Sequence, residues 1–322
     1  MWDFLIKFQP VLQKRLWGGH ALERHFRKQP TESGALFGES WEICDRDPEQ
    51  SVTKLQDGTF LTLHDLWTRH REAVFGRALA GHAAPRYPLL MKILDACDDL
   101  SIQVHPPASV AAELGGEPKT EMWYVAATAP GAKVYAGLRE GVGRAELERA
   151  VASGDVAGCV HVLEPVVGDC LFIPSGLIHA IGAGLVIYEV QQNSDTTFRL
   201  FDWNRTGADG RPRELHVAQS LCCIDGSADV PVLTRGLEVA CEFFRVRPAC
   251  AVDGCRLELW TGGNLTLAVV RGTIRLGGEE LKAGDFAIVP AAMSLEHRRG
   301  VVVSSDAEWL EISIPSNGAS AA

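Results

Sequence analysis

The sequence lacks the features that mark nucleic-acid-binding, membrane and secreted proteins. It has no basic run longer than a few residues, and 31 lysines and arginines face 41 aspartates and glutamates, a formal net charge of −10. Nucleic acid is therefore not an expected partner, because proteins that bind it concentrate positive charge on one surface. No apolar run reaches the roughly 18 residues of a membrane span. Residues 1–7 lack the basic and apolar regions of a secretory signal.

The cysteines argue against a disulfide framework. The nine cysteines are odd in number and contain no CxxC pair. In a chain without an export signal, this pattern predicts reduced, mostly buried thiols and a cytoplasmic location. The length of 322 residues, 46% of them hydrophobic, favours two domains with apolar cores.

What the sequence does contain is mostly strand patterns. Short apolar or alternating runs are interrupted by Gly, Pro and Asp every 8–12 residues or so, which predicts a mainly β fold. Helical patterns, in which apolar side chains recur on one helix face, are few. They cover residues 62–75, 143–153 and 213–224.

The most informative run is Gly168-Asp-Cys-Leu-Phe-Ile-Pro-Ser-Gly-Leu-Ile-His179. Its Gly, Pro, Gly and His spacing resembles the second half of the cupin signature. That signature is a strand–turn–strand corner that directs a histidine into a small jelly-roll β-barrel. We therefore predict that His179 is a metal ligand inside such a barrel.

The remaining candidate ligands lie upstream. On a strand over residues 100–105, Gln103 and His105 share one face with Ser101, while the apolar residues share the other. Glu121 follows in a second strand-like run. Together with His179, these residues offer two imidazoles, a carboxylate and an amide carbonyl. This mixed nitrogen and oxygen set suits one divalent transition metal with an open coordination position.

A second β-rich stretch repeats part of the signature without its ligands. Gly284 and Pro290 keep the Gly–Pro spacing, but Ala292 replaces the next glycine and Leu295 stands where a histidine would fall. We therefore predict two cupin barrels, of which only the first binds metal. The predicted units are a metal-binding catalytic domain with helical segments over 1–235, a degenerate barrel over 236–316, and a frayed tail over 317–322.

Two lysines stand close to the predicted metal site. Lys119 precedes Glu121 by two residues, so an extended chain puts both on one face, where Lys119 either binds substrate or is solvated. Lys92 lies within an apolar strand pattern, where a buried ammonium needs a partner. It either pairs with Asp95 or Asp98, or it faces the same cavity as the metal.

A polar segment over residues 188–202 follows the histidine corner directly. It begins as a strand at Leu185, so we expect it to line the same pocket. Arg199 within it suits bidentate recognition of a phosphate or a carboxylate.

Taken together, these stretches resemble the short bacterial type I mannose-6-phosphate isomerases (phosphomannose isomerases) of the cupin superfamily. The resemblance extends from residue 15 to about residue 220, in family order. The matching stretches are Arg15-Leu-Trp-Gly-Gly19, Gly38-Glu-Ser-Trp-Glu42, Tyr87-Pro-Leu-Leu-Met-Lys-Ile-Leu-Asp95, Ser101-Ile-Gln-Val-His-Pro106, Lys119-Thr-Glu-Met-Trp-Tyr124, Ile173-Pro-Ser-Gly-Leu-Ile-His-Ala180, Gln191-Gln-Asn-Ser-Asp-Thr-Thr-Phe-Arg199 and Arg213-Glu-Leu-His216.

The resemblance implies a zinc enzyme, with one zinc ion per chain, that interconverts mannose 6-phosphate and fructose 6-phosphate. The implied zinc ligands are Gln103, His105, Glu121 and His179. Arg199 matches the arginine associated with catalysis, and Glu189 matches a carboxylate proposed to transfer the proton. Lys119 matches a lysine near the substrate, and Lys92 is predicted to face the same substrate.

Besides an isomerase of the same chemistry that acts on a different sugar phosphate or on free mannose, two alternatives stay open from the residues themselves. A cupin dioxygenase would use Fe(II) on the same histidines and glutamate, and a non-catalytic sugar-binding cupin would keep only a vestigial site. Metal content and oxygen consumption would separate the first from an isomerase, and the intact ligand set argues against the second. The sequence makes no prediction of oligomeric state.

Overall fold

The computed structural model describes residues 2–29, 35–206, 210–226, 229–251 and 263–316. Within them the fold is mainly β, as predicted. The strands, numbered in chain order, are β1 Ile6–Lys7, β2 Val11–Gly19, β3 Phe37–Ile43, β4 Val52–Lys54, β5 Phe60–Thr62, β6 Leu89–Ala96, β7 Ile102–Val104, β8 Glu121–Thr128, β9 Val134–Leu138, β10 Val160–Leu163, β11 Asp169–Ile173, β12 His179–Ile181, β13 Leu185–Gln192, β14 Phe198–Phe201, β15 Thr234–Arg235, β16 Val239–Ala240, β17 Arg245–Cys250, β18 Leu265–Arg271, β19 Thr273–Leu276, β20 Glu279–Lys282, β21 Phe286–Val289, β22 Val302–Val303 and β23 Glu308–Ser313.

The helices are short. They are α1 Ala21–Phe26, α2 Leu63–Arg69, α3 Arg71–Phe75, α4 Ala108–Ala111, α5 Arg144–Ser153, α6 Val217–Cys223 and α7 Leu295–Arg299. The three predicted helical regions all contain helix, but the first is divided at His70 into α2 and α3. A capping box begins α2, because the Thr62 hydroxyl accepts from the Asp65 amide and the Asp65 carboxylate accepts from the Thr62 amide. None of the helices in the described ranges is long and apolar enough to cross a membrane.

Two antiparallel sheets form the first structural unit. The seven-stranded sheet has the order β15-β11-β8-β13-β6-β3-β2, and the five-stranded sheet has the order β10-β9-β12-β7-β14. An apolar cluster between them takes Trp123 and Ile187 from the larger sheet and Ala136 and Ile181 from the smaller one. The outer face of the smaller sheet is covered by α5 and α6, through side chains such as Leu147 and Leu221.

The second unit repeats this layered arrangement on a smaller scale. A six-stranded sheet, β1-β21-β18-β23-β17-β16, faces the three-stranded sheet β20-β19-β22 across its own apolar cluster. Strand β1 pairs with β21, so the first residues of the chain lie in the second unit. The domain boundary near residue 235 stays a prediction, and the predicted frayed tail over 317–322 lies outside the described residues.

The two units pack back to back through the largest apolar cluster. Because side chains alternate along a strand, β13 directs Tyr188 and Val190 toward this cluster and Glu189 to the opposite side. Tyr188 is fully buried and stacks on Phe286 of the second unit, with ring centroids 5.5 Å apart. Its hydroxyl donates to the Val269 carbonyl (2.8 Å) and accepts from the Gly284 amide (3.1 Å).

Removing this hydroxyl should weaken the contact between the units measurably. We expect Tyr188→Phe to lower the free energy of unfolding by about 1 kcal/mol, since the Val269 carbonyl and the Gly284 amide still bond to each other. Urea denaturation measures the change. Tyr135→Phe, at a half-buried tyrosine of β9, serves as the control, and an equal loss in both variants would contradict the assigned role.

Candidate metal centre and active-site cavity

Strand register places three predicted site residues side by side on the inner face of the smaller sheet. His179 in β12 pairs with Gln103 in β7, and Gln103 pairs in turn with Arg199 in β14. Directly paired residues point to the same face of a sheet. The alternation predicted from the sequence around Gln103 therefore places its side chain between those of His179 and Arg199.

A second row lies on the facing sheet. Glu189 in β13 pairs with Trp123 in β8 on one side and with Lys92 in β6 on the other. Glu121, the first residue of β8, lies two residues before Trp123 and therefore shares its inward face. Lys119 comes two residues earlier, and its ammonium lies beside Glu121, as the extended spacing predicted.

His105, Glu121 and His179 form the one group of three potential metal ligands found among the described residues. Their ligand atoms all lie within 4.8 Å of one another. The Nε2 atom of His105 is 3.4 Å from Glu121 Oε2, and that of His179 is 3.6 Å from Glu121 Oε1. All three side chains are buried, so the group lies below the surface of the protein.

Backbone carbonyls hold both imidazoles in one orientation. The Nδ1 atom of His105 donates to the Thr196 carbonyl, and that of His179 donates to the Leu177 carbonyl, each at 2.8 Å. A carbonyl can only accept, so the ring proton belongs on Nδ1 and the Nε2 lone pairs face Glu121. Such support is usual for histidines that bind metal.

The imidazoles are also kept neutral, which is the form that binds a metal. Burial and the neighbouring Lys119 ammonium lower the pKa of His105 to about 3. Burial likewise lowers the pKa of His179.

Glu121 supplies the negative charge of the group. Burial alone would raise its pKa, but the adjacent Lys119 ammonium outweighs burial, and the pKa of Glu121 lies well below its usual range. Among the described residues, neither carboxylate oxygen has a hydrogen-bond partner of good geometry, although Lys119 Nζ lies 2.7 Å from Oε2. A buried carboxylate with unused lone pairs facing two imidazole nitrogens fits a divalent cation.

Gln103 lies at the edge of this group. Its Nε2 atom is 3.3 Å from His179 Nε2, and its Oε1 atom accepts from the Ser101 hydroxyl at 3.3 Å. The side chain is thus within reach of the group, with its amide nitrogen turned toward His179. Ligation through the carbonyl oxygen of Gln103 stays a prediction.

Beside the group opens a cavity of about 310 Å³ between the two sheets. Trp17 and Trp123 are among the residues that line this cavity. Five basic and three acidic side chains from the described residues line it, so positive charge exceeds negative charge by two. They are Arg15, Lys92, Lys119, Arg199 and Arg213, and Glu39, Glu189 and Asp195.

Lys92 faces this cavity, and the alternative pairing with Asp95 or Asp98 is wrong. Its ammonium lies 3.4 Å from Glu39 and 3.6 Å from Glu189. Asp95 instead accepts from the Ala21 amide, and Asp98 pairs with Arg205. The partners of Lys92 come from β3 and β13, on either side of its own strand.

Glu189 is a second buried carboxylate, and its contacts differ from those of Glu121. The Trp123 indole donates to its Oε2 at 3.1 Å, and the two lysine ammoniums lie 3.6 and 3.8 Å from its Oε1. Burial and the nearby charge of Glu121 raise the pKa of Glu189. The raised pKa makes this group easier to protonate than an ordinary glutamate.

Three charged cavity residues were not singled out by sequence reasoning, namely Arg15, Glu39 and Arg213. Each lies in a stretch that carries the family resemblance, and each is charged. Arg15 Nε donates to Glu39 at 2.7 Å. A charged residue within a stretch that carries the family resemblance was the signal that could have identified them.

With this geometry in place, comparison with known proteins assigns the family. Residues 5–135 match the model for the type I phosphomannose isomerase catalytic domain. A mannose-6-phosphate isomerase from Streptococcus mutans is 35% identical over 297 residues, which cover 88% of this chain and 91% of that protein. The fold is mainly β, with two layered units and a His/Glu/His group of potential metal ligands in the first. The chain belongs to the type I phosphomannose isomerase family.

Solved structures agree with this assignment. The mannose 6-phosphate isomerase from Bacillus subtilis superimposes with a TM-score of 0.79 at 29% identity, covering 96% of this chain and 99% of the other. A mannose 6-phosphate isomerase solved with zinc and yttrium bound shares the fold, with a TM-score of 0.66 at 16% identity over 96% of this chain and 99% of the other.

The geometry predicts that His179 is required for metal binding. Elemental analysis of purified protein should find one divalent ion per chain, and His179→Ala should lose it because one of two imidazole donors is gone. Gln103→Ala should keep most of the metal, since water can replace a neutral amide. His20→Ala, at an exposed histidine, is the control and should bind metal fully. Full occupancy in His179→Ala would show that the ligand set is wrong.

Proposed function

We propose that this protein is a zinc-dependent isomerase that interconverts mannose 6-phosphate and fructose 6-phosphate through a cis-enediol. The observation that carries the proposal is the buried His105–Glu121–His179 group beside a cavity that also contains the protonatable Glu189. The names of the relatives supply the substrate. The abundance of basic side chains in the cavity is consistent with a phosphorylated sugar.

We assign one metal ion to the first unit, held by His105, Glu121 and His179, with Gln103 as a predicted fourth ligand. Zinc is the proposed metal because imidazole and carboxylate donors suit it and because a protein of the same fold was solved with zinc bound. When bound, such an ion supplies a Lewis acid toward the sugar oxygens at C1 and C2.

Glu189 is the proposed proton carrier between C2 and C1. An aldose–ketose isomerisation needs one group that removes a proton from one carbon and returns it to the other. A carboxylate whose pKa lies closer to neutrality performs both steps better than an ordinary glutamate. The Trp123 indole holds one of its oxygens and leaves the other toward the lysines.

The basic residues divide according to their distance from the metal group. Lys119 contacts Glu121 and His105 directly, so we propose that it stabilises negative charge that develops on the enediol oxygens. Lys92 forms an ion pair with Glu189, and both residues line the cavity. Arg199 lies two strands from His179, about 10 Å at usual strand spacing, which favours the substrate-binding role among those predicted for it.

The rival functions make different demands on the cavity. A dioxygenase on the same ligands would need Fe(II) and would consume oxygen, and it would have no need for Glu189 between two lysines. A sugar-binding cupin would need no proton carrier. We propose a cytoplasmic location on the basis of the sequence features described above.

Purified protein should convert mannose 6-phosphate into fructose 6-phosphate. We expect the activity in a coupled assay to disappear on treatment with a chelator and to return with zinc. Oxygen uptake, measured in parallel, should stay at background. Wild-type protein that is loaded with zinc yet inactive toward mannose 6-phosphate would contradict the proposal, and oxygen consumption would favour the dioxygenase.

The proton-transfer role predicts a specific loss in Glu189→Gln. Turnover in D2O should place deuterium at C1 or C2 of the sugar, and the substitution should reduce kcat at least about 100-fold, as for a lost general base. Metal content should stay at the wild-type level. Glu148→Gln, on the exposed face of α5, is the matched control. Full activity in Glu189→Gln would move the base elsewhere in the cavity, with Asp195 as the next candidate.

A further inference from the structure

The turn over residues 192–197 lies between the metal group and the cavity. Its Thr196 carbonyl accepts from His105 Nδ1 at 2.8 Å, as described above. Two other residues of the turn, Asp195 and Thr197, line the cavity. Because the Thr196 carbonyl orients the His105 ring, the contacts that hold the turn in place also hold that ring.

Two hydroxyl groups hold the turn against the segment that precedes Lys119. The Glu117 amide donates to Thr196 Oγ1 at 3.0 Å, and Ser194 Oγ donates to the Glu117 carbonyl at 3.2 Å. Ser194 is fully buried, and its Oγ also accepts from the Thr196 amide at 3.2 Å. Both backbone polar groups of Glu117 are thus satisfied by side-chain hydroxyls of the turn.

The turn approaches this segment closely enough to require a glycine beside Glu117. A Cβ atom at Gly116 would lie 2.7 Å from Thr196 Cγ2, which is closer than two carbon atoms pack. The methyl group of Thr196 therefore packs on the backbone at Gly116, while its hydroxyl accepts from the next amide. Thr196 is fixed by a packing contact and by a hydrogen bond at the same time.

The same hydrogen-bonded path continues to the corner that leads to His179. The Gln192 amide donates to the Thr120 carbonyl at 3.0 Å, and Gln192 Oε1 accepts from the Thr120 amide at 2.8 Å. The Thr120 hydroxyl accepts in turn from the Ser175 amide at 3.2 Å. Hydrogen bonds outside the metal group therefore join all three segments that carry its residues.

We propose that Thr196 and Ser194 are positioning residues whose hydroxyl groups preorganise the metal group and so increase its affinity for zinc. A histidine that must be reoriented as the ion binds reduces affinity, because ordering the ring costs free energy at that step. Hydroxyls that fix the Thr196 carbonyl beforehand remove this cost. The inference rests on the zinc site of the proposed function, and it gives neither residue a contact with the ion.

Thr62 offers a matched control for Thr196. Both are half-buried threonines whose Oγ1 atom accepts from a backbone amide at 3.0 Å. Thr62 begins α2 and belongs neither to the metal group nor to the residues that line the cavity. Valine resembles threonine in shape but has no hydroxyl group. Thr196→Val and Thr62→Val therefore each remove one such hydrogen bond, and only the first removes it from the turn.

Zinc dissociation constants, measured by competition with a chromogenic chelator, test the proposal. Thr196→Val and Ser194→Ala should each raise the constant roughly 10-fold, the lower end of the loss usual when the support of a metal-bound histidine is weakened. Thr196→Ser should recover most of the affinity, because it keeps the hydroxyl group. Thr62→Val should leave zinc affinity unchanged, although the lost cap lowers its resistance to urea.

The outcomes separate this inference from the proposed function. A wild-type protein that binds no zinc would overturn the proposed metal site and with it the proposed function. A wild type that binds zinc, with unchanged constants in Thr196→Val and Ser194→Ala, would overturn only the role of the turn. An equal loss of affinity in Thr196→Val and Thr62→Val would also overturn it, because the loss would then follow from lower stability alone. If Thr196→Val does not fold, Ser194→Ala must still lose affinity and Thr196→Ser must keep it.

Discussion

The site depends on one constraint, the burial of the Glu121 carboxylate between two imidazoles. A buried carboxylate is costly unless opposite charge or hydrogen bonds compensate it. Here Lys119 on one side compensates the charge only in part, because the two rings turn their Nε2 lone pairs, not protons, toward the carboxylate. Such an arrangement repels a further anion and attracts a cation. The negative charge of Glu121 therefore determines which kind of ion the group can bind.

The negative charge of Glu121 also affects the pKa of Glu189, the residue that we propose as the base. The field of Glu121 contributes to the raised pKa of Glu189, while Lys119 lies within 4 Å of both carboxylates. A cation bound at Glu121 would weaken that repulsion and bring the pKa of Glu189 down. In the proposed mechanism, metal binding and proton transfer would therefore be coupled through Glu121 and Glu189.

Much of the site could be predicted because its key residues follow local rules. Polar and apolar side chains alternate along β7, and this pattern can be read from neighbouring residues. The same holds for the corner before His179 and for the two-residue spacing of Lys119 and Glu121. The partners of Lys92 depend instead on which strands flank β6, and the hydrogen bond from His105 to Thr196 spans 91 positions. Arg213 lies before α6, although the helical pattern was predicted to begin there, so its place at the cavity depends on tertiary contacts such as the one with β14.

Strand β13 carries Glu189 on one face and, one residue earlier, Tyr188 on the other. The Tyr188 hydroxyl is bonded to two backbone groups of the second unit, so that unit supports the strand that carries Glu189. The second unit therefore contributes to the site without supplying any of the three residues of the metal group.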